Sequence, residues 1–380
     1  MALDLELPLL DPTELPESAF PARTILLTGA TGLLGAHLLE SLVRGTEAHV
    51  LCLARAKDDA SATARIAGAL THYGIVELDP RRFSGVAADL AAPGLGLGEL
   101  AFSRLCASVD TIVHAGADVN WLKPYASVRL TNVLGTATLV RMASTTTKKA
   151  FHYVSTISTA PTYGDESTFL DERDAKASSG YALSKWVAEA LVRRAARLGL
   201  PVAIHRPGMI TGHHERARGN RDDFVNRYLR ACIRYGVALD RPERLDMTPV
   251  DYVSQAIAAS VTSSLSGSSP TTTHLCNMHA SPDYRTIARA IAHAGVECRT
   301  VDYAAFRTEA VLPSDSPLRA LASYFPAAGF AMGTAPPRGS DAHEPWPSER
   351  TRDWLAARGI VCPVADTKLI ERYVKALAGG

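Results

Sequence analysis

Short runs rich in Val, Ile, Leu and aromatic residues recur along the first half of the chain, and helical periods separate most of them. This rhythm constrains the fold more than any other feature. The runs are Arg23–Thr28, Ala48–Leu53, Ser84–Ala88, Thr111–His114, Ala150–Ser155 and Val202–His205, and the first is followed by a helical pattern over Leu33–Val43. Near-continuous apolar runs imply strands covered on both faces, and strand–helix alternation implies βαβ units with a parallel sheet. The expected class is therefore α/β, a Rossmann-type doubly wound parallel sheet. After about Thr211 the rhythm breaks: residues 213–245 are Arg-rich and read as helical, and Asp251–Ser264 reads as another helix. Thr272–Asn277 returns one last strand to the sheet. From Pro282 onward the chain reads as helices and loops punctuated by Pro313, Pro317, Pro326, Pro336, Pro337, Pro345 and Pro347. That part is expected to form a smaller, mainly helical C-terminal domain.

Composition removes several classes. With 47% apolar and 21% charged residues the chain can bury a core, which excludes disorder throughout. Forty basic residues against 39 acidic ones leave a net charge of +1, which argues against a partner read through its nucleic-acid backbone. No stretch approaches ~20 apolar residues, so no membrane span is expected. Cys52, Cys106, Cys232, Cys276, Cys298 and Cys362 form no CxxC pair, which fits a reducing compartment without structural zinc. Met1–Phe20 carries acids where a signal peptide needs Lys or Arg. A cytoplasmic enzyme, monomeric as an isolated domain, is expected. Residues 1–22, with Pro8, Pro12, Pro16 and Pro21, read as a linker or N-terminal arm of the kind that follows another domain.

Between the first strand and first helix lies Thr28-Gly-Ala-Thr-Gly-Leu-Leu-Gly35. A dinucleotide pyrophosphate needs a backbone it can approach without a Cβ, at a helix N-terminus whose amides point outward. Gly29, Gly32 and Gly35 meet that need, with Thr31, Leu33 and Leu34 supplying the rest of the turn; a plain structural corner is the competing reading. A ribose 2′-OH calls for Asp or Glu at the end of the second strand. Arg55 stands there instead, and a guanidinium suits a 2′-phosphate. Asp58 and Asp59 come too late, while Lys57 and Arg65 can assist. The expected cofactor is NADPH. Asp89 and Leu90 at the end of the third strand can reach an adenine, although Asp89 equally suits a turn. His114-Ala115-Gly116-Ala117 ends the fourth strand in small residues that admit a cofactor ribose, with His114 itself read as a packing residue.

Tyr181-Ala-Leu-Ser-Lys185 carries the chemistry. At i and i+4 of a helix running from Ser178 to Leu198 the phenol and the ammonium share a face. An adjacent ammonium lowers a phenol pKa from ~10, which makes Tyr181 a usable proton donor. The preceding strand ends in Val154-Ser-Thr-Ile-Ser-Thr159, where Thr156 can hydrogen-bond a substrate carbonyl and Ser155 and Ser158 compete for that role.

With these residues in place the chain resembles the extended short-chain dehydrogenases/reductases. More narrowly it resembles the terminal thioester reductase domains of nonribosomal peptide synthetases, which are related to those of carboxylic acid reductases. The resemblance covers residues 24–380 and rests on LLTGATGLLGAHLL, LCLARA, DTIVHAGADVNWLKPY, LTNVLGTATLVRMA, YVSTIS, GYALSKWVAEAL, RPGMITG, TPVDYVSQAI and GIVCPVADTKLIERYVKAL, in that order. It implies a catalytic set of Thr156, Tyr181 and Lys185. It also implies that Asn132 holds a water or the cofactor ribose in line with Lys185, and that Pro207 and Gly208 shape the nicotinamide pocket. The hydroxyl partner is Thr rather than the superfamily's Ser, and Ile157 interrupts the serine run of many relatives. The implied reaction is reductive release of an acyl or peptidyl thioester from the phosphopantetheine arm of a carrier protein, giving an aldehyde and, after a second round, an alcohol. The implied division is a Rossmann domain for NADPH over 23–212, joined by 246–280, and a substrate- and carrier-facing domain over 213–245 and 281–380.

Two rival readings share the scaffold. A sugar-nucleotide epimerase or dehydratase would want an acid where Arg55 stands, and a redox-inert NADPH sensor would usually lack Tyr181 or Lys185. His213-His214-Glu215 hints at a metal, but no third ligand stands at suitable spacing, so no metal is expected. Arg227, Arg230 and Arg234 fall on one helical face, with Phe224 and Leu229 elsewhere on it. They read either as a solvated face or as a docking surface for an acidic carrier protein.

Overall fold

The computed structural model describes residues 1–263, 265, 269–277, 280–327, 329 and 346–378. Seven strands form its main sheet: β1 (Thr24–Thr28), β2 (His49–Ala54), β3 (Phe83–Ala87), β4 (Thr111–His114), β5 (Ala150–Val154), β6 (Val202–Pro207) and β7 (Thr272–Leu275). The principal helices in chain order are α1 (Leu33–Gly45), α2 (Asp59–His72), α3 (Glu99–Ser108), α4 (Gly135–Ala143), α5 (Gly180–Arg197), α6 (Phe224–Tyr235), α7 (Val250–Val261), α8 (Tyr284–His293), α9 (Glu349–Ala356) and α10 (Thr367–Ala378). The strand order is β3-β2-β1-β4-β5-β6-β7, and every pairing in the sheet is parallel. The order reverses between β1 and β4, so the connections leaving these neighbours diverge and open a crevice at their C-terminal ends. The all-buried patterns of β4 and β6 are what a sheet covered on both faces requires.

The chain divides into two compact units. The first comprises Met1–Pro207, Val253–Leu275 and Pro347–Val361. Its core packs Leu26, Ile112, Phe151 and Ile204 of the sheet against Met142 of α4 and Val192 of α5. Two of its segments depart from the expected division. Residues 1–22 are no free linker, because Asp4 is buried against Arg129 and Tyr125 Oη (2.7 Å), and Arg194 donates to the carbonyls of Leu5 and Leu7. Pro347–Val361, expected in the C-terminal domain, places α9 along the edge strand. There Thr351 Oγ1 accepts from the His274 amide at 3.1 Å, and Arg350 donates to the Thr272 carbonyl at 3.2 Å. The edge of β7 is thereby protected from further pairing.

The second unit comprises Gly208–Tyr252, Cys276–Trp346 and Cys362–Gly380. Residues 246–252 and 276–280, expected to return to the sheet domain, belong here. Its core is aromatic: Tyr228 of α6 meets Tyr284 of α8 and Phe306 at ring-centroid distances of 5.3 and 5.5 Å, and Phe224 stacks on Phe325. Helix α6 is shorter than the Arg-rich segment suggested. Asp223 starts it by accepting from the Asn226 amide, and Gly236, at φ 64°, ends it in the left-handed conformation. Ser264, Pro336, Pro337 and Pro345 lie outside the described residues.

Candidate active site

The glycine turn is built by backbone crowding. Gly29 has φ +82°, and a Cβ there would come within 2.9 Å of the Gly116 nitrogen. A Cβ on Gly35 would lie 2.0 Å from the Gly29 carbonyl oxygen, so β1 and α1 could not pack. Gly32 differs: its only near neighbour is at 3.4 Å, it is exposed, and it starts α1 without a side-chain cap. Internal packing therefore does not explain Gly32, whereas an anion approaching the uncapped amides of α1 would. Thr31, Leu33 and Leu34 flank it, each half-buried. These residues fit a dinucleotide pyrophosphate.

A hydrogen-bonded chain ties the ends of β1 and β4. Thr28 Oγ1 accepts from the Gly116 amide (2.8 Å) and stands 2.8 Å from His114 Nδ1, while His114 Nε2 stands 2.9 Å from Thr136 Oγ1. The Thr136 hydroxyl donates to the Asn132 carbonyl at 2.6 Å. Its oxygen is therefore the acceptor for Nε2–H, and Nδ1 accepts from Thr28. Burial and the nearby charge of Lys185 hold His114 well below its ordinary pKa, in keeping with this neutral tautomer. His114 thus holds Ala115-Gly116-Ala117 against Gly29 and is more than a packing residue.

At the end of β2, Arg55 is exposed and its carbonyl accepts from Arg65 of α2, so the two guanidinium-bearing residues meet there. Both nearby acids are structurally engaged. Asp58 caps α2 through the Ser61 amide (2.7 Å), and Asp59 accepts from the Ala87 amide (2.8 Å). Asp89 and Leu90 follow β3 by two residues rather than ending it, and Asp89 Oδ1 accepts from the Ala91 amide at 3.0 Å, as a turn Asp does. Leu90 lies where a Cβ on Gly116 would meet it, at 2.8 Å.

Helix α5 carries Tyr181 and Lys185, and Lys185 reaches the end of β5. Ser179 caps it through the Ala182 amide, and Tyr181 and Lys185 occupy its first turns. Lys185 is buried; its Nζ donates to the Val154 carbonyl at 2.6 Å and sits 4.2 Å from the Tyr153 ring centroid. Burial lowers Lys185 to about 7, against a smaller opposing pull from Glu189. Tyr181 is raised to about 12 by burial, which corrects the expectation that the ammonium would lower it. Desolvation disfavours the phenolate, and no charge among the described residues offsets it at this site. A phenol raised in this way stays protonated at neutral pH, the form a proton donor needs.

The three candidate hydroxyls are separated by their partners. Ser155 is buried and donates to Glu189 Oε2 at 2.6 Å. Ser158 is exposed, and its amide donates to Thr156 Oγ1 at 3.3 Å. Thr156 is half-buried at the head of the turn. Asn132 is fixed by the segment after β4 and by the residue that precedes Lys185. Its Oδ1 accepts from the Asp118 amide (2.7 Å), and its Nδ2 donates to the Asp118 carbonyl (3.0 Å) and to Ser184 Oγ (2.9 Å). It therefore fastens the segment after β4 to α5 from within a π-helical turn, Leu130–Leu134. Pro207 ends β6 in the first unit, opposite Leu275. Gly208 opens the second unit, where a Cβ would meet Asp246 Oδ2 at 1.8 Å.

Sequence reasoning missed Glu189 and Arg206. Both are fully buried, with Glu189 Oε1 2.5 Å from Arg206 Nη2. The signal was present: Glu189 follows Tyr181 and Lys185 at the next i+4 step of the same face. The fold also supplies the third group that spacing along the chain had excluded near His213 and His214, namely Asp251. Asp251 accepts from both the amide and Nδ1 of His214 (2.8 and 2.6 Å), and His213 Nδ1 accepts from the Glu215 amide. These bonds account for the cluster as a loop anchor.

Lys185 yields a pH-dependent expectation. Its pKa is about 7 in the folded protein against an ordinary lysine value of 10.5, so between these values the unfolded chain binds the extra proton and stability rises with pH. The penalty is complete below pH 7. The stability of the parent protein relative to Lys185→Met should therefore increase by up to a few kcal/mol from neutral to alkaline pH. Denaturant titrations of both proteins at several pH values measure it, and a flat difference would contradict the assignment.

Comparison with known proteins agrees with this architecture. Residues 27–257 match an NAD-binding family described as male sterility protein. The chain is 39% identical over 304 residues to a linear gramicidin synthase from Brevibacillus parabrevis, covering 77% of this chain and 6% of that protein. It is 35% identical over 376 residues to isonitrile lipopeptide synthase of Streptomyces coeruleorubidus, covering 94% of this chain and 25% of that one. The chain thus spans a quarter or less of the length of these two curated relatives. A solved structure, the terminal R domain from the myxalamid PKS-NRPS biosynthetic pathway, superposes with a TM-score of 0.87 at 38% identity, covering 100% of this chain and 96% of that one. The glycine cradle, the Tyr–Lys helix and this end-to-end likeness place the chain in the extended short-chain dehydrogenase/reductase family that binds a nicotinamide cofactor, among the terminal reductase domains of nonribosomal peptide synthetases.

Proposed function

We propose that this chain is an NADPH-dependent thioester reductase that releases an acyl or peptidyl chain from a carrier protein as an aldehyde. The observation that carries this reading is the α5 face: Tyr181 one turn from a buried Lys185 that bonds the end of β5, in a chain whose first strand–helix turn fits a dinucleotide. When bound, NADPH supplies a hydride to the thioester carbonyl carbon. Tyr181 gives its proton to the carbonyl oxygen as charge develops there, and Thr156 donates a hydrogen bond to the same oxygen. The resulting hemithioacetal loses its C–S bond, its hydroxyl proton passing to the departing thiolate, so that aldehyde and free thiol leave. Lys185 would anchor the nicotinamide ribose beside Tyr181. Gly29, Gly32 and the amides of Leu33 and Leu34 would hold the pyrophosphate, with Gly35 letting α1 pack closely behind them, and Asp89, Leu90 and Ala115–Ala117 would flank the adenosine. Pro207, at the end of β6, would border the nicotinamide. The test is NADPH consumption by the purified chain with an acyl thioester on a carrier protein, with mass identification of the released product. Product formed by hydrolysis alone, with NADPH untouched, would refute the reading.

The preference for NADPH rests on Arg55 and Arg65, with the neighbouring acids engaged elsewhere. Arg55→Asp should weaken NADPH far more than NADH, because the new carboxylate repels a 2′-phosphate and accepts from a 2′-OH. Titration of both nucleotides measures this, and an unchanged affinity ratio would move the phosphate site to Lys57 or elsewhere.

The proposed partner is an acidic carrier protein. Within the second unit, Arg227 pairs with Asp222 at 2.6 Å and Arg234 pairs with Asp315, so two of the three arginines of α6 are already neutralised. Phe224 and Leu229 are buried and offer no outer contact. Arg230 pairs with no acid among the described residues, and its pKa is lowered by burial and by repulsion from Arg221, Arg227 and Arg234. Arg230 and the exposed Arg221 are therefore the docking cations. An Arg221→Ala/Arg230→Ala variant should lose kcat/KM on carrier-bound thioester but not on a short pantetheine thioester, with the loss shrinking as salt is raised. Equal loss on both substrates would remove these residues from docking.

A further inference from the structure

We infer that Glu189 is a positioning residue that locks the Thr156 turn onto the helix bearing Tyr181 and Lys185. This rests on the reductase reading above. Tyr181, Lys185 and Glu189 stand at i, i+4 and i+8 of α5, so one helix face carries the proton donor, the ammonium and a carboxylate in a row. The carboxylate is wholly buried and collects donors from three directions. From β6, Arg206 contributes Nη2 to Oε1 (2.5 Å) and Nε to Oε2 (3.2 Å). From α5 itself, Arg193 Nε donates to Oε1 at 2.8 Å. From the turn after β5, Ser155 Oγ and Thr159 Oγ1 donate to Oε2 at 2.6 and 2.8 Å. The last two residues bracket Thr156, one before it and three after it. The Thr159 amide donates to the Thr156 carbonyl at 3.1 Å and closes the turn, and the single proton of the Thr159 hydroxyl is shared between that carbonyl, also at 2.8 Å, and Glu189.

The consequence is geometric. A hydroxyl that must meet an oxyanion cannot sit on a loop free to drift by an ångström, since misplacement of that size costs about 100-fold in rate. The Thr156 side chain is half-buried and makes only long contacts to Ser158, 3.3 Å to its amide and 3.4 Å to its hydroxyl. The backbone on either side of it is instead fastened to Glu189. The same carboxylate is held rigid by Arg206, whose Nη1 also donates to the Thr168 carbonyl at 2.7 Å. Donor, ammonium and hydroxyl are thus referred to one buried anchor.

Glu189→Gln would strand the Arg206 charge and threatens folding, so the decisive variant leaves the ion pair intact. Ser155→Ala/Thr159→Val removes the two hydroxyls that tie the turn. It should fold, bind NADPH as the parent does and keep the thioester KM, while kcat falls about 10–100-fold. Thr159→Ser, which retains a hydroxyl, should keep most of the rate in the Ser155-containing protein. Added to Thr156→Val, the double change should cost little more, because groups that act through one another are not additive. A parental kcat for Ser155→Ala/Thr159→Val beside a slow Thr156→Val would overturn the inference and leave the reductase reading standing. So would a loss that adds fully to that of Thr156→Val. A parental kcat for Thr156→Val would overturn the role of Thr156 itself, and the inference with it; failure of the parent chain to oxidise NADPH marks failure of the reductase reading instead.

Discussion

Tyr181→Phe should lower reductive turnover by roughly 10²–10⁴-fold, the range for a lost general acid, while NADPH affinity stays close to that of the parent. The aromatic ring is kept, so the packing at the head of α5 is preserved. Only the hydroxyl, and with it the transferable proton, is removed. Because burial raises Tyr181 to about 12, the parent retains its proton throughout the neutral range and the rate ratio should change little between pH 6 and pH 9. Single-turnover NADPH oxidation isolates the chemical step, and nucleotide titration checks binding. Turnover of the Phe variant at the parental rate would remove Tyr181 from the chemistry.

Arg206→Met should strongly destabilise the sheet unit. Arg206 and Glu189 are both 0% exposed, and removing Arg206 leaves the buried carboxylate with only the partly exposed Arg193 as its cation, so the loss should approach that of a broken buried pair, about 3–5 kcal/mol. The sign of its pH dependence follows. In the parent, the charges of Arg206 and Arg193 hold Glu189 below its ordinary pKa despite burial. Without Arg206, desolvation should raise that pKa above its unfolded value. The folded variant then binds the extra proton, so its stability falls as pH rises through that window, and its deficit against the parent should be smallest under mildly acidic conditions. Replacing both partners, as in Glu189→Met/Arg206→Met, should recover much of the loss. Denaturant unfolding of the three proteins at two pH values decides it; an Arg206→Met variant as stable as the parent would show the pair to be energetically idle.

Much of this protein was determined by local sequence. The sheet strands were legible because each is a short apolar run between turn signals, and a strand buried on both faces must be apolar whatever its neighbours are. The glycine turn was legible because Gly29 and Gly35 are demanded by contacts within a few residues of chain or on the adjacent strand. The Tyr181–Lys185 pair was legible because a helix places i and i+4 on one face without tertiary help. What only the tertiary structure decided are quantities that depend on distant partners. The protonation of Tyr181 is set by burial rather than by its visible neighbour. The engagement of Ser155 is set by Glu189, about thirty residues away in sequence. The task of Asn132 is set by Asp118 and Ser184, and the charge on α6 is set by Asp222 and Asp315. Helical and strand periodicities are local properties of the chain; desolvation, ion pairing and hydrogen-bond saturation belong to the folded neighbourhood, and no spacing along the sequence encodes them.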